Sequence, residues 1–197
     1  MSILEIIKKR RSIRKFKPDP ISEEVINKLI EAVIWAPSAG NKQMRKFFFV
    51  INNDIKKEIA LASLYQMFIE KAPLVIVACG DKEIKRYYGK RGLENYLFCD
   101  VAASVQNLLL VAAEQGLGTC WIGAFNEKKI KEIVEKQKIS LSSLKTRKIG
   151  GAVFAELKLK LSPRLKLDQV SSLSKNLEKI LLEKIMTQNL LRFLWIF

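Results

Sequence analysis

The stretch over residues 97–115 constrains the fold more than any other, because it has helical composition and yet is apolar on nearly all sides. A helix of that kind needs cover around most of its circumference, so it is a central helix of the domain or part of a subunit interface. Gly116 and Gly118 end it, as glycines commonly do just past a helix C-terminus. Residues 74–79 (Leu-Val-Ile-Val-Ala-Cys) are the strand counterpart, an unbroken apolar run that implies cover on both faces. A core able to cover both suits one domain: the chain has 197 residues, 49% of them hydrophobic and 28% charged.

Local signals supply the other elements. Ser2 with Glu5 forms a capping-box pattern, predicting a first helix to about residue 10. Pro18 and Pro20 break the chain, and Ser22 then caps a second helix, with Ile21 and Ile26 placed as a hydrophobic staple. Val25, Ile26, Leu29, Ile30, Val33 and Ile34 share its apolar face, and Pro37 stops it. Residues 37–41 read as a loop, 47–51 as a strand and 55–65 as a weak helix. The polar and aromatic residues 81–94 read as a mobile loop. Residues 119–123 are a short strand or its exit, and Asn126 caps a helix on which Ile130, Ile133, Val134 and Gln137 share a face. A further strand is expected over 150–156. Helices and strands mix without a strict βαβ repeat, so the expected class is α+β, a mostly antiparallel or mixed sheet with helices on its faces.

Residues 1–170 form the expected domain and 171–197 a C-terminal helical extension. Leu173, Leu177, Ile180, Leu181 and Ile185 fall at helical spacing, and an apolar segment closes the chain over 190–197. Glutamates accompany the lysines on the polar face, which favours a strap on the core or on a second subunit over a membrane-surface helix.

What the chain lacks narrows its chemistry. With no histidine, histidine-dependent triads and most zinc sites are excluded, and catalysis must borrow reactivity from a cofactor. Cys79, Cys99 and Cys120 have no CxxC spacing and read as small buried hydrophobes in a reducing compartment. Without a leader-like start, or an apolar run approaching the roughly 20 residues that span a bilayer, the expected location is cytoplasmic and no membrane partner is expected. The net charge of +15 points to a phosphate-bearing partner or to a lysine-rich surface. Lysines scattered among glutamates favour the surface reading over nucleic acid, which is not an expected partner.

Three segments carry the candidate chemistry. In Arg10-Arg11-Ser12-Ile13-Arg14 an extended backbone would point Arg10, Ser12 and Arg14 one way, and guanidinium forks with a hydroxyl suit phosphate or a ring carbonyl edge. Pro37-Ser38-Ala39-Gly40-Asn41-Lys42-Gln43 is a loop of small and amide residues that a planar polar ring could approach. Residues 116–123 (Gly-Leu-Gly-Thr-Cys-Trp-Ile-Gly) offer backbone N–H groups to a ligand edge. Singly these read as a basic turn, a helix-to-strand turn and a helix stop.

Taken in order and spacing, with residues 100–110 and a fainter match over 163–170, they resemble the FMN-dependent nitroreductase family over roughly residues 3–170. The resemblance implies an α+β homodimer with FMN at the subunit interface and NADH or NADPH as reductant. It implies Arg10 and Ser12 at the FMN phosphate, joined by Arg164, with Arg11 in the same segment and Arg14 at the N1/C2-carbonyl edge. Pro37, Ser38, Ala39 and Asn41 would come from the other subunit, and Ile122 and Gly123 would lie near flavin N5. No side chain is then a catalytic residue and no metal is expected. The implied reaction is ping-pong hydride transfer through flavin N5 to nitroaromatic, quinone or similar electron-poor substrates. The chain departs from the family pattern at Met44-Arg45, where Pro-Trp is common, so that wall of the pocket is expected to differ. It departs again at Ser162, where a second basic phosphate ligand is expected and for which Lys160 could substitute. An FMN storage or sensor protein is the alternative motivated by Met44-Arg45, and a nucleic-acid-binding protein the one motivated by the charge.

Overall fold

A computed structural model describes residues 1–142, 190–191 and 194–196. Helix α1 (Ile3–Lys9) starts on the expected capping box: the Ser2 hydroxyl accepts from Glu5 N, and the Glu5 carboxylate accepts from Ser2 N at 2.6 Å. In α2 (Glu23–Ile34) Ser22 caps the first turn, while Ile21 and Ile26 pack against the same core cluster. Strand β1 (Arg45–Val50) begins earlier than its phenylalanines suggest. It leads through α3 (Asn53–Ala62) and the single turn α4 (Phe68–Lys71) to β2 (Val75–Asp81).

Strand β2 explains the layering. Every residue in it is buried, and its side chains alternate between two clusters. Val75, Val77 and Cys79 join Phe48 and Val50 of β1 against α3 and α7 (Glu127–Ser142). Leu74, Ile76 and Ala78 join Phe47 and Phe49 against α2 and α6 (Leu97–Glu114). The sheet is thus covered on both faces, as an apolar strand requires. Helix α6 is the core helix of the second layer, with Val101, Val105, Leu108, Leu109 and Ala112 in that cluster. It closes in a Schellman arrangement, Leu117 N donating to Ala112 O and Gly116 N to Ala113 O, with Gly116 at φ +75°.

Residues 81–94 are helical, which corrects the expected loop. The Asp81 carboxylate accepts from Glu83 N, a 3-10 turn covers Lys82–Ile84, and α5 (Lys85–Arg91) runs through a π-turn at Gly92–Tyr96 into α6. The periodicity is hidden because Ile84 is the one large apolar side chain fully buried here, while Gly89 breaks the helix with φ 55° and ψ −142°. The kinked helical stretch Lys82–Glu114 is long and apolar enough to cross a membrane by length and composition, and the packing of α6 against the sheet accounts for that apolar character.

Strand β3 (Cys120–Ile122) and α7 follow, Asn126 capping α7 through Lys129 N at 3.0 Å. Ile130, Ile133 and Val134 are buried as expected; the Gln137 side chain lies outside the described residues. The chain closes with β4 (Leu190–Leu191) and β5 (Leu194–Ile196), both antiparallel to β2. The sheet order is β1-β2-β5-β3, so the closing residues enter the sheet as strands instead of continuing a helical extension. The helical expectation for 173–185 and the strand expected over 150–156 lie outside the described residues. All strand pairs among the described residues are antiparallel, which fits the α+β reading. Cys79 and Cys120 are buried; Cys99 is exposed on α6, contrary to expectation, because it falls opposite the helix's buried stripe.

Candidate functional site

The first candidate segment is held between two apolar anchors, buried Ile6 and partly buried Phe16. Between them it lies along the start of β3: Ile13 N donates to Thr119 O at 2.8 Å, and Ser12 forms a parallel bridge with Thr119. Two segments far apart in sequence, 10–14 and 116–123, are therefore brought together. Arg14 lies close enough to Cys120 to lower its thiol pKa, although burial is the larger effect and pushes the thiol up.

Arg10 is half-buried, while Ser12 and Arg14 are exposed, and none of the three donates a side-chain hydrogen bond to a described residue. Arg11 differs. Its guanidinium turns back onto Lys8 O and Arg10 O, closing the end of α1 where carbonyls lack helical partners. The Ile122 side chain of β3 is in the core. Gly123 is exposed, and a Cβ placed on it would meet nothing within 4 Å. Arg164, with Lys160 and Ser162, lies outside the described residues.

Close approach at Gly118 makes this juxtaposition testable. A Cβ there would sit 2.9 Å from Ile13 Cγ1 and 3.0 Å from Ile13 Cβ. Cβ cannot swing away without the backbone, so Gly118→Ala is expected to push residues 12–14 off β3. The expected outcome is amide exchange of Ile13, whose N–H donates to Thr119 O, about tenfold faster than in the parent, the worth of one weakened hydrogen bond.

The second candidate loop is built separately. Ser38 Oγ accepts from Gln43 N, Asn41 N donates to Ser38 O, and Lys42 N donates to Ala39 O. Ala39 N donates to Asp100 Oδ1 of α6 at 2.9 Å. Pro37 and Asn41 are exposed and Ser38 and Ala39 half-buried. The backbone donors of Asn41, Lys42 and Gln43 are spent within the loop and that of Ala39 on Asp100, so side chains are much of what the loop can offer a ligand. None of the described hydrogen bonds joins this loop to residues 10–14 of the same chain.

The buried roles of Arg45 and Asp100 were not read from the sequence. Arg45 is 3% exposed, and its guanidinium donates to Pro37 O, Val33 O, Ile34 O and Ala36 O. Met44 is buried as well, so neither residue forms an open pocket wall. Asp100 is 5% exposed; burial pushes its carboxyl up, opposed by the Ala39 N–H and by Arg45. The one available sequence signal for Asp100 was an acid in the first turn of an otherwise apolar helix.

The sign of the pH effect follows. A folded pKa above the ordinary carboxylate value means that the folded state holds the extra proton in the window between the two. Stability is therefore lost as pH rises through that window, and the loss persists at neutral pH. Asp100→Asn, which keeps an acceptor for Ala39 N, is expected to raise the urea midpoint relative to the parent at pH 7. That advantage should shrink toward zero as pH falls below the window; a pH-independent difference contradicts the assignment.

The chain matches the Nitroreductase family over residues 7–71 and 58–143. It is 33% identical over 125 residues to a relative from Methanothermobacter thermautotrophicus, covering 64% of this chain and 62% of that one. It is 29% identical over 150 residues to the FMN reductase [NAD(P)H] of Bacillus subtilis, covering 69% and 60%. The chain thus spans about three fifths of the length of these curated relatives. Among solved structures, a nitroreductase family protein from Clostridium novyi NT superposes with a TM-score of 0.61 at 36% identity, covering 67% of this chain and 75% of that one. An FMN-dependent nitroreductase from Clostridium difficile R20291 gives 0.59 at 27% identity, covering 67% and 78%. With the family match extending from α1 into α7 and the fold shared with solved members, this chain belongs to the nitroreductase family.

Proposed function

We propose that the chain is an FMN-dependent NAD(P)H oxidoreductase reducing nitroaromatic, quinone or similar electron-poor compounds, and that it works as a cytoplasmic homodimer. The observation that carries this reading is the pairing of residues 12–13 with Thr119, which joins the segment of exposed Ser12 and Arg14 to the start of the strand that leads to Ile122 and Gly123. The donor set fits FMN. Two guanidiniums and a hydroxyl without described partners suit a phosphate and a ring carbonyl edge, and a glycine edge free of neighbours admits a planar ring. The names of the Bacillus subtilis and Clostridium difficile relatives point the same way.

FMN supplies, when bound, the relay of hydride from NADH or NADPH to the second substrate. The chain's own part is binding and charge. Arg10 and Ser12 hold the phosphate, with Arg164 assigned there by family resemblance. Arg14 stabilises negative charge at the N1/C2-carbonyl edge. The Ile122 and Gly123 backbone borders the N5 side. Pro37, Ser38, Ala39 and Asn41 serve the second copy's site, a division assigned by family resemblance. Arg11, folded onto α1, acts through the shape of that segment. Solvent supplies protons, so the absence of histidine is no obstacle. Cys79, Cys99 and Cys120 are not in disulfides, which suits a reducing compartment.

The storage-protein alternative rested on an altered pocket wall at Met44-Arg45, and burial of both residues weakens it. Spectroscopy of the purified protein separates the readings. A flavin spectrum that NADH or NADPH bleaches under anaerobic conditions, and that a quinone restores, is the expected result. Bound flavin that neither nucleotide bleaches favours the carrier. Protein that takes up no added FMN overturns the flavin reading, and salt-sensitive nucleic-acid binding would then take its place.

A further inference from the structure

The loop over residues 37–43 follows a costly path. Gly40, Asn41 and Gln43 all lie at positive φ, at 51°, 53° and 51°. Glycine and asparagine visit this region readily, but glutamine does not, and such conformations persist only where the surroundings over-determine them. Ser38 takes the N–H groups of Asn41 and Gln43, and two buried charges on different elements fix the residues on either side of Ser38. Helix α2 has no basic residue in its last turn, so its terminal carbonyls have no cation of their own. Arg45 supplies one from β1. Its Nη2 donates to Val33 O at 3.1 Å and Ala36 O at 2.7 Å, and its Nη1 donates to Pro37 O at 3.0 Å. From α6, the Asp100 carboxylate takes the next free donor, Ala39 N, at 2.9 Å. The two side chains thus grip adjacent parts of one loop: Arg45 takes the carbonyls up to residue 37, and Asp100 takes the N–H of residue 39.

Their arrangement is not that of a self-contained ion pair. Asp100 Oδ2 and Arg45 Nε are both buried without a partner among the described residues. Each charge is held incompletely satisfied, a cost that the fold retains. Met44-Arg45, the place where the chain departs from the usual family pattern, therefore faces inward and acts on the loop from behind.

We propose that Arg45 and Asp100 are positioning residues that hold residues 37–43 in this left-handed course, so that Ser38 and Asn41 are presented for cofactor binding. The cofactor part rests on the flavin reading above. Neither residue touches the cofactor; both act through the loop backbone.

The test uses full-length apoprotein and FMN, with three readouts: FMN dissociation constant, visible circular dichroism of bound flavin, and amide exchange of Ala39 in the ligand-free protein. Asp100→Leu removes the acceptor and is expected to weaken FMN binding about tenfold, alter the flavin dichroism and speed Ala39 exchange. Asp100→Asn keeps the acceptor and is expected to stay within about threefold of the parent. Arg45→Lys keeps the charge but loses the fork, and is expected to resemble Asp100→Leu in affinity.

Ala39→Pro removes the donor while leaving both charges in place. Proline is tolerated at the opening position of a helical turn, and Ser38 at φ −148° and ψ 155° has the extended backbone that a following proline requires. It is expected to match Asp100→Leu, and the double variant to be no worse than either single change. Should Asp100→Leu fail to fold, Ala39→Pro carries the same comparison. Native affinity and native flavin dichroism in the folded variants, with unchanged Ala39 exchange in Asp100→Leu, overturn the proposal. If the parent protein binds no FMN, the flavin reading fails by itself. The exchange rates of Ala39 in parent and Asp100→Leu then still decide whether Asp100 holds the loop.

Discussion

Arg14→Ala is expected to weaken FMN binding by about 10- to 100-fold while leaving the urea midpoint unchanged. The range is that of one charge-assisted hydrogen-bonding group, about 1.5–3 kcal/mol, at 1.4 kcal/mol per decade. The separation of binding from stability follows from the structure. Arg14 is exposed and donates no hydrogen bond to a described residue, so its removal leaves no buried group unpaired. Its recorded electrostatic neighbour is Cys120, whose thiol is governed more by burial than by Arg14. Lys17→Ala serves as the control, since Lys17 is exposed, equally cationic and beyond the Phe16 anchor. Equal losses for the two variants would indicate diffuse attraction by the +15 chain and not a site. Unchanged FMN content and turnover in Arg14→Ala would remove Arg14 from the site. Turnover should fall further than occupancy alone explains, because the proposed contact is at the edge where charge develops.

The residues that made the fold legible are those whose environment is dictated by near neighbours in the chain. Ser2 with Glu5, Ser22 and Asn126 cap helices through bonds spanning three residues, so their positions could be read directly. The apolar runs in β2 and α6 declared their double-sided burial by composition. Residues 81–94 escaped because a glycine kink and exposed charges masked the helix, and Ile84 and Leu97 gave too sparse an apolar signal. The position of β5 between β2 and β3 depends on pairings across more than 70 residues, for which no local pattern exists.

The site divides along the same line. Its exposed donors could be listed from the sequence, since exposed arginines look alike whether or not they bind anything. What needed coordinates was the bridge from Ser12 to Thr119, which turns two weak motifs into one edge. Arg45 shows the reverse failure. In sequence it belongs to a basic run, Arg45-Lys46, where solvent is the default environment. Its burial depends on four carbonyls at the end of α2, none of which a side-chain pattern reveals.

Phe48→Ala is expected to cost about 3–5 kcal/mol, a large share of the 5–15 kcal/mol by which a domain is usually stable. Phe48 is 2% exposed and sits opposite Val77 in the β1–β2 register, in the cluster that faces α3 and α7. Collapse around the cavity is limited, because the strands on which this cluster rests are fixed by the second cluster on the opposite face. A lowered urea midpoint with an unchanged slope is the expected signature of lost packing in a native state of the same extent. Phe47→Ala removes a ring from the opposite face, toward α2 and α6, where the loop of residues 37–43 is anchored. Phe48→Ala should therefore spare FMN affinity under conditions where it is folded, while Phe47→Ala should weaken it in step with the release of that loop. If Phe48→Ala weakened FMN binding as much as Phe47→Ala, the two layers would not be the separate units that the alternation of β2 describes. The cofactor edge would then depend on the sheet as a whole.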